Sequence, residues 1–254
     1  MTNPYKKHLD IFFESIIELK HTAKRLNKVL LQDVERYTSE KAGLLFGTAL
    51  IIGDWTASTD NGSKINFHTG IKKSTFKENY SLEIENILSR EFGLAFAQSF
   101  EVFEKLLKDF VYIKIQTDTN FREGLKPDKD YSRKKLSGGD EIFKLIKKAC
   151  GKEFTKYSKQ NNNNFKLSEF FKIISEVRHS MIHCKGKLET SKIPKDKYYK
   201  SLFEHLFSLN KLENEIIELK LNYKLLEKLL IYISEFGFQF FKFLSKVDNY
   251  EWKN

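Results

Sequence analysis

Apolar residues recur every three to four positions along three long stretches of this chain, with polar residues between them. In the first stretch Tyr5, Leu9, Phe12, Ile16, Leu19, Ala23, Leu26 and Leu30 alternate steps of four and three. That spacing lines up side chains on one face of an α-helix. Pro4 stands where a first helical turn tolerates it, and the pattern predicts one helix to about Tyr37. The repeat breaks at Asp33, and Val34 and Tyr37 resume it out of phase. The second stretch, residues 81–115, carries Ile84, Leu88, Phe92, Phe96, Phe100, Phe103, Leu107 and Phe110. The third carries Leu212, Ile216, Leu219, Tyr223, Leu226, Leu230, Ile233, Gly237, Phe240 and Leu244. Leu229, Phe236 and Phe241 widen its stripe beyond a coiled-coil seam, which predicts a bundle helix. Gly237 leaves room for another backbone to approach.

Shorter elements lie between. Residues 39–52 read as a short apolar helix. Asp60-Asn61-Gly62-Ser63 is a turn signal, and its flanks, residues 49–55 and 64–68, read as a small β-hairpin. A polar, basic loop is expected over residues 117–139, a short helix over 140–150, and a loop over 151–165 that holds the asparagine run 161–164. A helix follows from Leu167 to about Cys184, and Pro194 opens another over residues 195–209. The expected fold is all-α, a multi-helix up-and-down bundle with long N- and C-terminal helices and a small hairpin near residues 49–68. Residues 78–254 form the expected helical domain and residues 1–77 an N-terminal helical extension.

Composition narrows the class. Three prolines and twelve glycines in 254 residues leave the helices few forced breaks. Two cysteines, Cys150 and Cys184, are no disulfide framework, so a reduced, cytoplasmic setting is expected. Lys6, Lys7, Asp10 and Glu14 interrupt the apolar run that a secretory signal would need. The weakly polar run at residues 42–52 is far short of the roughly 20 residues that span a bilayer, so no membrane partner is expected. The net charge of +10 favours polyanionic partners, nucleic acid above all. Enrichment in Lys, Asn, Ile and Phe can equally reflect the base composition of a genome.

The candidate chemistry sits at the end of the helix that begins at Leu167, in Arg178-His179-Ser180-Met181-Ile182-His183-Cys184-Lys185-Gly186-Lys187. A guanidinium clamps phosphate with a planar fork of donors, and an imidazole takes or gives a proton near neutral pH. With residues advancing about 100° each, Leu167, Phe170, Phe171, Ile174, Val177, Met181 and Ile182 share an apolar face, and Arg178 falls on it. An arginine there needs its charge met. It either snorkels to the rim or bonds an acid such as Glu101 or Glu104 of the preceding long helix. His179 and His183, four apart, share another face. They read as plain exposed histidines, as acid–base groups, or as two metal ligands lacking a third and fourth.

Arg178-His179-Ser180-Met181-Ile182-His183 resembles the Arg-x(4–6)-His signature of HEPN domains, with a polar residue after the arginine as is common there. Phe100-Glu101-Val102-Phe103-Glu104-Lys105 is similar to the aromatic and acidic first helix of such domains. Cys184-Lys185 stands where some toxin subfamilies carry a tyrosine motif. The resemblance implies an all-helical bundle and a metal-independent endoribonuclease of the toxin–antitoxin or abortive-infection kind. It also implies a homodimer whose two signatures form one site, no cofactor, and restraint by an antitoxin or other regulatory protein. His183 would then be the general base, Arg178 would stabilise the phosphoryl charge, His179 would protonate the leaving oxygen or hold phosphate, and Lys185 and Lys187 would hold flanking RNA phosphates. On an ideal helix Arg178 and His183 diverge by about 140°, so a helix end, a long side chain or a two-fold partner must close the gap. The rival expectation is a non-catalytic helical module that binds RNA, nucleotide or protein, and a third is a zinc-binding helical module.

Overall fold

The structure is a computed structural model. It describes residues 2–43, 46–162, 164–193, 195–207, 209–211 and 215–253, with the side chains at 46, 57, 58, 64 and 209–211 left aside. The described chain is mostly helical, with eight α-helices and two small antiparallel sheets. The helices are α1 (Lys6–Tyr37), α2 (Lys77–Thr117), α3 (Thr119–Glu123), α4 (Gly139–Ala149), α5 (Gly151–Tyr157), α6 (Leu167–His183), α7 (Lys197–Leu206) and α8 (Tyr223–Val247). The strands are β1 (Phe46–Ser58), β2 (Lys64–Thr75), β3 (Lys187–Glu189), β4 (Leu209–Lys211) and β5 (Ile216–Leu219). Among the described residues, no helix is long and apolar enough to cross a membrane.

Packing divides the chain into two units, residues 1–25 with 89–254, and residues 26–88. The boundary expected near residue 77 does not coincide with this division. In the larger unit α2, α4, α5, α6 and α8 converge on a phenylalanine core. Phe103 of α2 meets Phe171 of α6 at 5.4 Å and Phe240 of α8 at 6.2 Å between ring centroids. Phe143 of α4 stacks on Phe171 at 4.7 Å, and Phe154 of α5 lies 4.8 Å from Phe240. Such pairs add to the area each ring removes from water. The N-terminal part of α1 joins this core through Tyr5, Leu9, Phe12 and Ile16, all buried. Gly237 makes the approach possible: a Cβ there would stand 2.6 Å from Phe12 Cε1 and 3.1 Å from Leu106 Cδ2. The close neighbours are therefore side chains of α1 and α2, where the sequence had pointed to a backbone.

In the smaller unit β1 and β2 form an antiparallel hairpin with Ile52 opposite Phe67 and Ala49 opposite Lys72. Gly62 takes a φ of +80° in the turn, the left-handed region open to glycine. Leu50, Ile52, Phe67, Ile71 and Trp55 are all largely exposed on this two-stranded ribbon.

Several expectations are corrected. The fold is not all-α. No helix occupies the described part of residues 39–52: β1 begins at Phe46, because Ile51, Ile52, Trp55 and Thr56 suit a pleated ladder and the Asp60-Asn61-Gly62 turn closes it. The last helix starts at Tyr223, where the Asn222 side chain caps it by accepting from the Leu225 N–H at 2.9 Å. Upstream, burial alternates at Ile217, Leu219 and Leu221, a period of two that the wider spacing of Ile216 and Leu219 concealed. Residues 151–165 are not all loop, since α5 buries Phe154. Within residues 117–139, Asp118 caps the short α3. The helix expected over 195–209 is α7, capped by Asp196, and Leu209 belongs to β4. Pro194 and Leu212 lie outside the described residues.

Candidate functional site

Helix α6 carries the Arg–His segment, and its inner face explains its position. Leu167, Phe170, Phe171, Ile174 and Val177 are buried. Met181 packs where Gly93 of α2 lacks a side chain: a Cβ on Gly93 would stand 2.7 Å from Met181 Sδ. Ile182, expected on the apolar face, is instead 41% exposed, one residue before the helix ends at His183. The Ser180 carbonyl accepts from Cys184 N–H at 2.9 Å and from Gly186 N–H at 3.1 Å. The Ser180 hydroxyl donates to the Lys187 carbonyl at 2.9 Å. Lys185 and Gly186 both adopt positive φ, 53° and 78°, which turns the chain sharply into β3. There Lys187 and Leu188 pair with Glu218 and Ile217 of β5. The three-stranded sheet, in the order β3-β5-β4, therefore stands against the end of the motif helix.

Between α6 and this sheet lies a cleft of about 470 Å³ whose lining includes Arg178, His179, Cys184, Lys187, Glu189 and Lys192. The Arg178 guanidinium donates from Nη2 to the Glu101 carboxylate of α2, one of the two acids the sequence offers for it. The other candidate, Glu104, caps α4 by accepting from the Gly139 N–H. Arg178 remains 30% exposed and Glu101 49% exposed, so solvent reaches both members of the pair. The Arg178 Nε is buried without a protein partner among the described residues. His179 is exposed, and its ring centre lies 4.7 Å from that of His183 one turn on.

The structure thus brings Arg178, His179 and Lys187 to one cleft. His183 and Lys185 are exposed but do not line it. His183 adjoins the site through its ring contact with His179 and through its chain neighbour Cys184. Among the described residues, no three His, Cys, Asp or Glu side chains gather as a metal-binding group, so the histidine pair has no third protein ligand there. Glu189 and Lys192 of the cleft are not foreseen from the sequence. They come from β3 and the 3₁₀ turn Thr190–Lys192, and no local spacing ties them to α6. The signal for Lys192 is the abundance of lysine after Gly186, and Glu189 has none.

No protein-family model, no curated protein and no solved structure matches the chain.

Proposed function

We propose that the chain is a metal-independent endoribonuclease of HEPN type, a cytoplasmic defence or toxin effector that works as a homodimer with residues 78–254 as a HEPN-like helical bundle. The observation that carries this reading is the meeting of Arg178 and His179 with Lys187 and Lys192 in one solvent-open cleft. Cationic donors there hold the phosphates of a single strand. A base takes the proton of an RNA 2′-hydroxyl, whose oxygen attacks the adjacent phosphorus. The phosphorus–5′-oxygen bond breaks, and the leaving oxygen takes a proton from the conjugate acid of a second imidazole. The products are a 2′,3′-cyclic phosphate and a 5′-hydroxyl. Arg178 stabilises the charge gathering on the phosphoryl oxygens. His183 is the base and His179 the acid or phosphate holder. The His183 of one protomer serves the cleft of the other, since on its own helix it points away from Arg178.

The test is purified protein incubated with RNA in EDTA. Cleavage should persist, leave cyclic phosphate ends, and fall at least about a hundredfold in Arg178→Ala and in His183→Ala. A requirement for added metal, or full activity in both variants, overturns the proposal.

A second reading draws support from the ion pair of Arg178 with Glu101. In it the arginine is structural and the cleft binds RNA, nucleotide or protein without cutting. RNA binding without cleavage in the unaltered protein selects this reading.

A further inference from the structure

A smaller hollow of about 280 Å³ adjoins the cleft, and the two share Glu176, Leu188 and Lys192 in their linings. Its character differs. Leu188, Ile173 and Phe203 are buried and give it an apolar floor, and the half-buried Tyr199 forms part of its wall. Burial raises the Tyr199 phenol above the ordinary range, so the ring stays neutral. Lys172 and Glu176 complete it, one turn apart on α6. Residues at that spacing lie on one helix face, about 5–6 Å apart at Cβ. Among the described residues, no hydrogen bond or ion pair engages the Glu176 carboxylate.

An apolar floor, an aromatic wall and a short row of polar groups form a site for a flat heterocycle. Its place beside a phosphate-holding cleft makes that heterocycle a nucleobase. The Glu176 carboxylate selects among the four. A carboxylate accepts two parallel N–H bonds but donates none. Guanine alone presents two adjacent N–H donors, N1–H and N2–H, on its Watson–Crick edge, with the acceptor O6 beside them. Adenine and cytosine set a ring-nitrogen acceptor next to their amino group, and uracil flanks its single N–H with two carbonyls. Both arrangements turn a lone pair toward a carboxylate.

We propose that this hollow is a guanine subsite. Glu176 receives N1–H and N2–H, Lys172 donates to O6, Tyr199 stacks on the base, and Lys192 at the junction holds the phosphate that leads to Arg178. The inference deepens the nuclease reading above and rests on it for the idea that the neighbouring cleft takes RNA. It makes the protein a reader of single-stranded guanosine.

The experiment has two arms. In the first, guanosine 3′,5′-bisphosphate and adenosine 3′,5′-bisphosphate are titrated into the unaltered protein by calorimetry. Guanosine should bind at least about tenfold more tightly, the scale of one good bidentate contact. Glu176→Gln, whose amide cannot accept both bonds, should abolish that preference. Lys192→Ala should weaken both ligands alike. Thermal melting of each variant establishes that it is folded. Equal binding of the two ligands, no binding of either, or a preference that survives in Glu176→Gln overturns the proposal. In the second arm, the ends left on a mixed RNA are sequenced. Cuts next to guanosine that spread to other bases in Glu176→Gln support it, and cuts indifferent to base in the unaltered protein overturn it. Guanosine preference in the first arm without any cleavage in the second supports the subsite and removes the nuclease reading. Base-indifferent cleavage does the reverse.

Discussion

Asp248→Ala should destabilise the larger unit more than any comparable change of a surface acid. Lys114 of α2 is only 2% exposed, and its ammonium bonds Asp118 at 2.7 Å and Asp248 as well. The Tyr5 hydroxyl donates to the same Asp248 carboxylate at 2.6 Å. One acid just beyond α8 thus ties α2 to the start of α1. Removing one partner of a buried ion pair costs about 3–5 kcal/mol. Asp118 remains to Lys114 here, and Asp248 is 14% exposed, which lowers the figure. The lost Tyr5 bond adds about 1 kcal/mol. The expected loss is therefore about 3 kcal/mol. Lys114→Met leaves the mostly buried Asp248 carboxylate with its Tyr5 donor and no cation, so it should cost at least as much, about 3–5 kcal/mol. Urea unfolding followed by Trp252 fluorescence measures both. Trp252 packs edge-on to Phe238 at 6.3 Å, whereas Trp55 is 89% exposed in the folded protein and its environment changes little. A cost below about 0.5 kcal/mol for either variant refutes the reasoning.

The same cluster sets a pH window. Hydrogen bonds from Lys114 and from the Phe121 backbone depress the Asp118 carboxyl below its ordinary value. Its contribution is present above the unfolded value, about 4, and disappears as pH falls through the depressed one. Burial by itself would lower Lys114, but its bonds to Asp118 and Asp248 outweigh that and leave it raised. Burial, with the bond to Asp248, raises Tyr5. Both contribute fully below their unfolded values, about 10, and their contributions disappear as pH rises through the higher folded values. The urea midpoint should therefore hold a plateau from about pH 5 to about pH 9 and fall on both sides.

Three further outcomes follow from the packing and the site. Gly237→Ala should cost about 1–2 kcal/mol in urea unfolding, since its Cβ would meet the buried Phe12 ring, while Gly53→Ala, with nothing within 4 Å, should stay within about 0.5 kcal/mol. An iodoacetamide label should enter the folded chain at Cys184, which is exposed, and reach Cys150 only in urea, because burial pushes that thiol up and covers it; mass spectrometry of the peptides decides. Glu104→Ala should lower stability by about 1 kcal/mol through loss of the cap on α4, read as a shift in urea midpoint.

The sequence discloses the helices wherever apolar spacing runs long and unbroken. Phe92, Phe96, Phe100, Phe103, Leu106, Leu107 and Phe110 are all buried, and their 3.6-residue period has no β-strand equivalent. The hairpin is legible at its turn but not in its length, because exposed Leu50, Ile51 and Ile52 carry no alternation to mark a strand with one buried face. Strand β5 is hidden because Ile216 and Leu219 continue the step of the helix after them, while the pairing of Ile217 with Leu188 is a long-range contact that no local pattern announces. At the site, the local helix geometry foretells that the Arg178 charge must be met, with Glu101 as one of two candidate acids. It does not foretell that Lys187 faces the cleft and Lys185 does not, since that depends on the left-handed turn at Lys185 and Gly186.

The ion pair of Arg178 with Glu101 bears on both functional readings, and its exposure decides how. A pair sealed in the core would hold the guanidinium fast, because parting it leaves a charge unmet at about 3–5 kcal/mol. A pair open to solvent contributes about 0–1 kcal/mol. With Arg178 at 30% and Glu101 at 49% exposed, this one belongs nearer the second case. A phosphate entering the cleft can then replace the carboxylate at modest cost, and the carboxylate keeps its hydration when released. Glu101 in this view holds the arginine at the cleft wall until an anion arrives. The structural role of Arg178 and the proposed phosphate-binding one would then be two states of one side chain, and the low cost of moving between them follows from the water that reaches both partners.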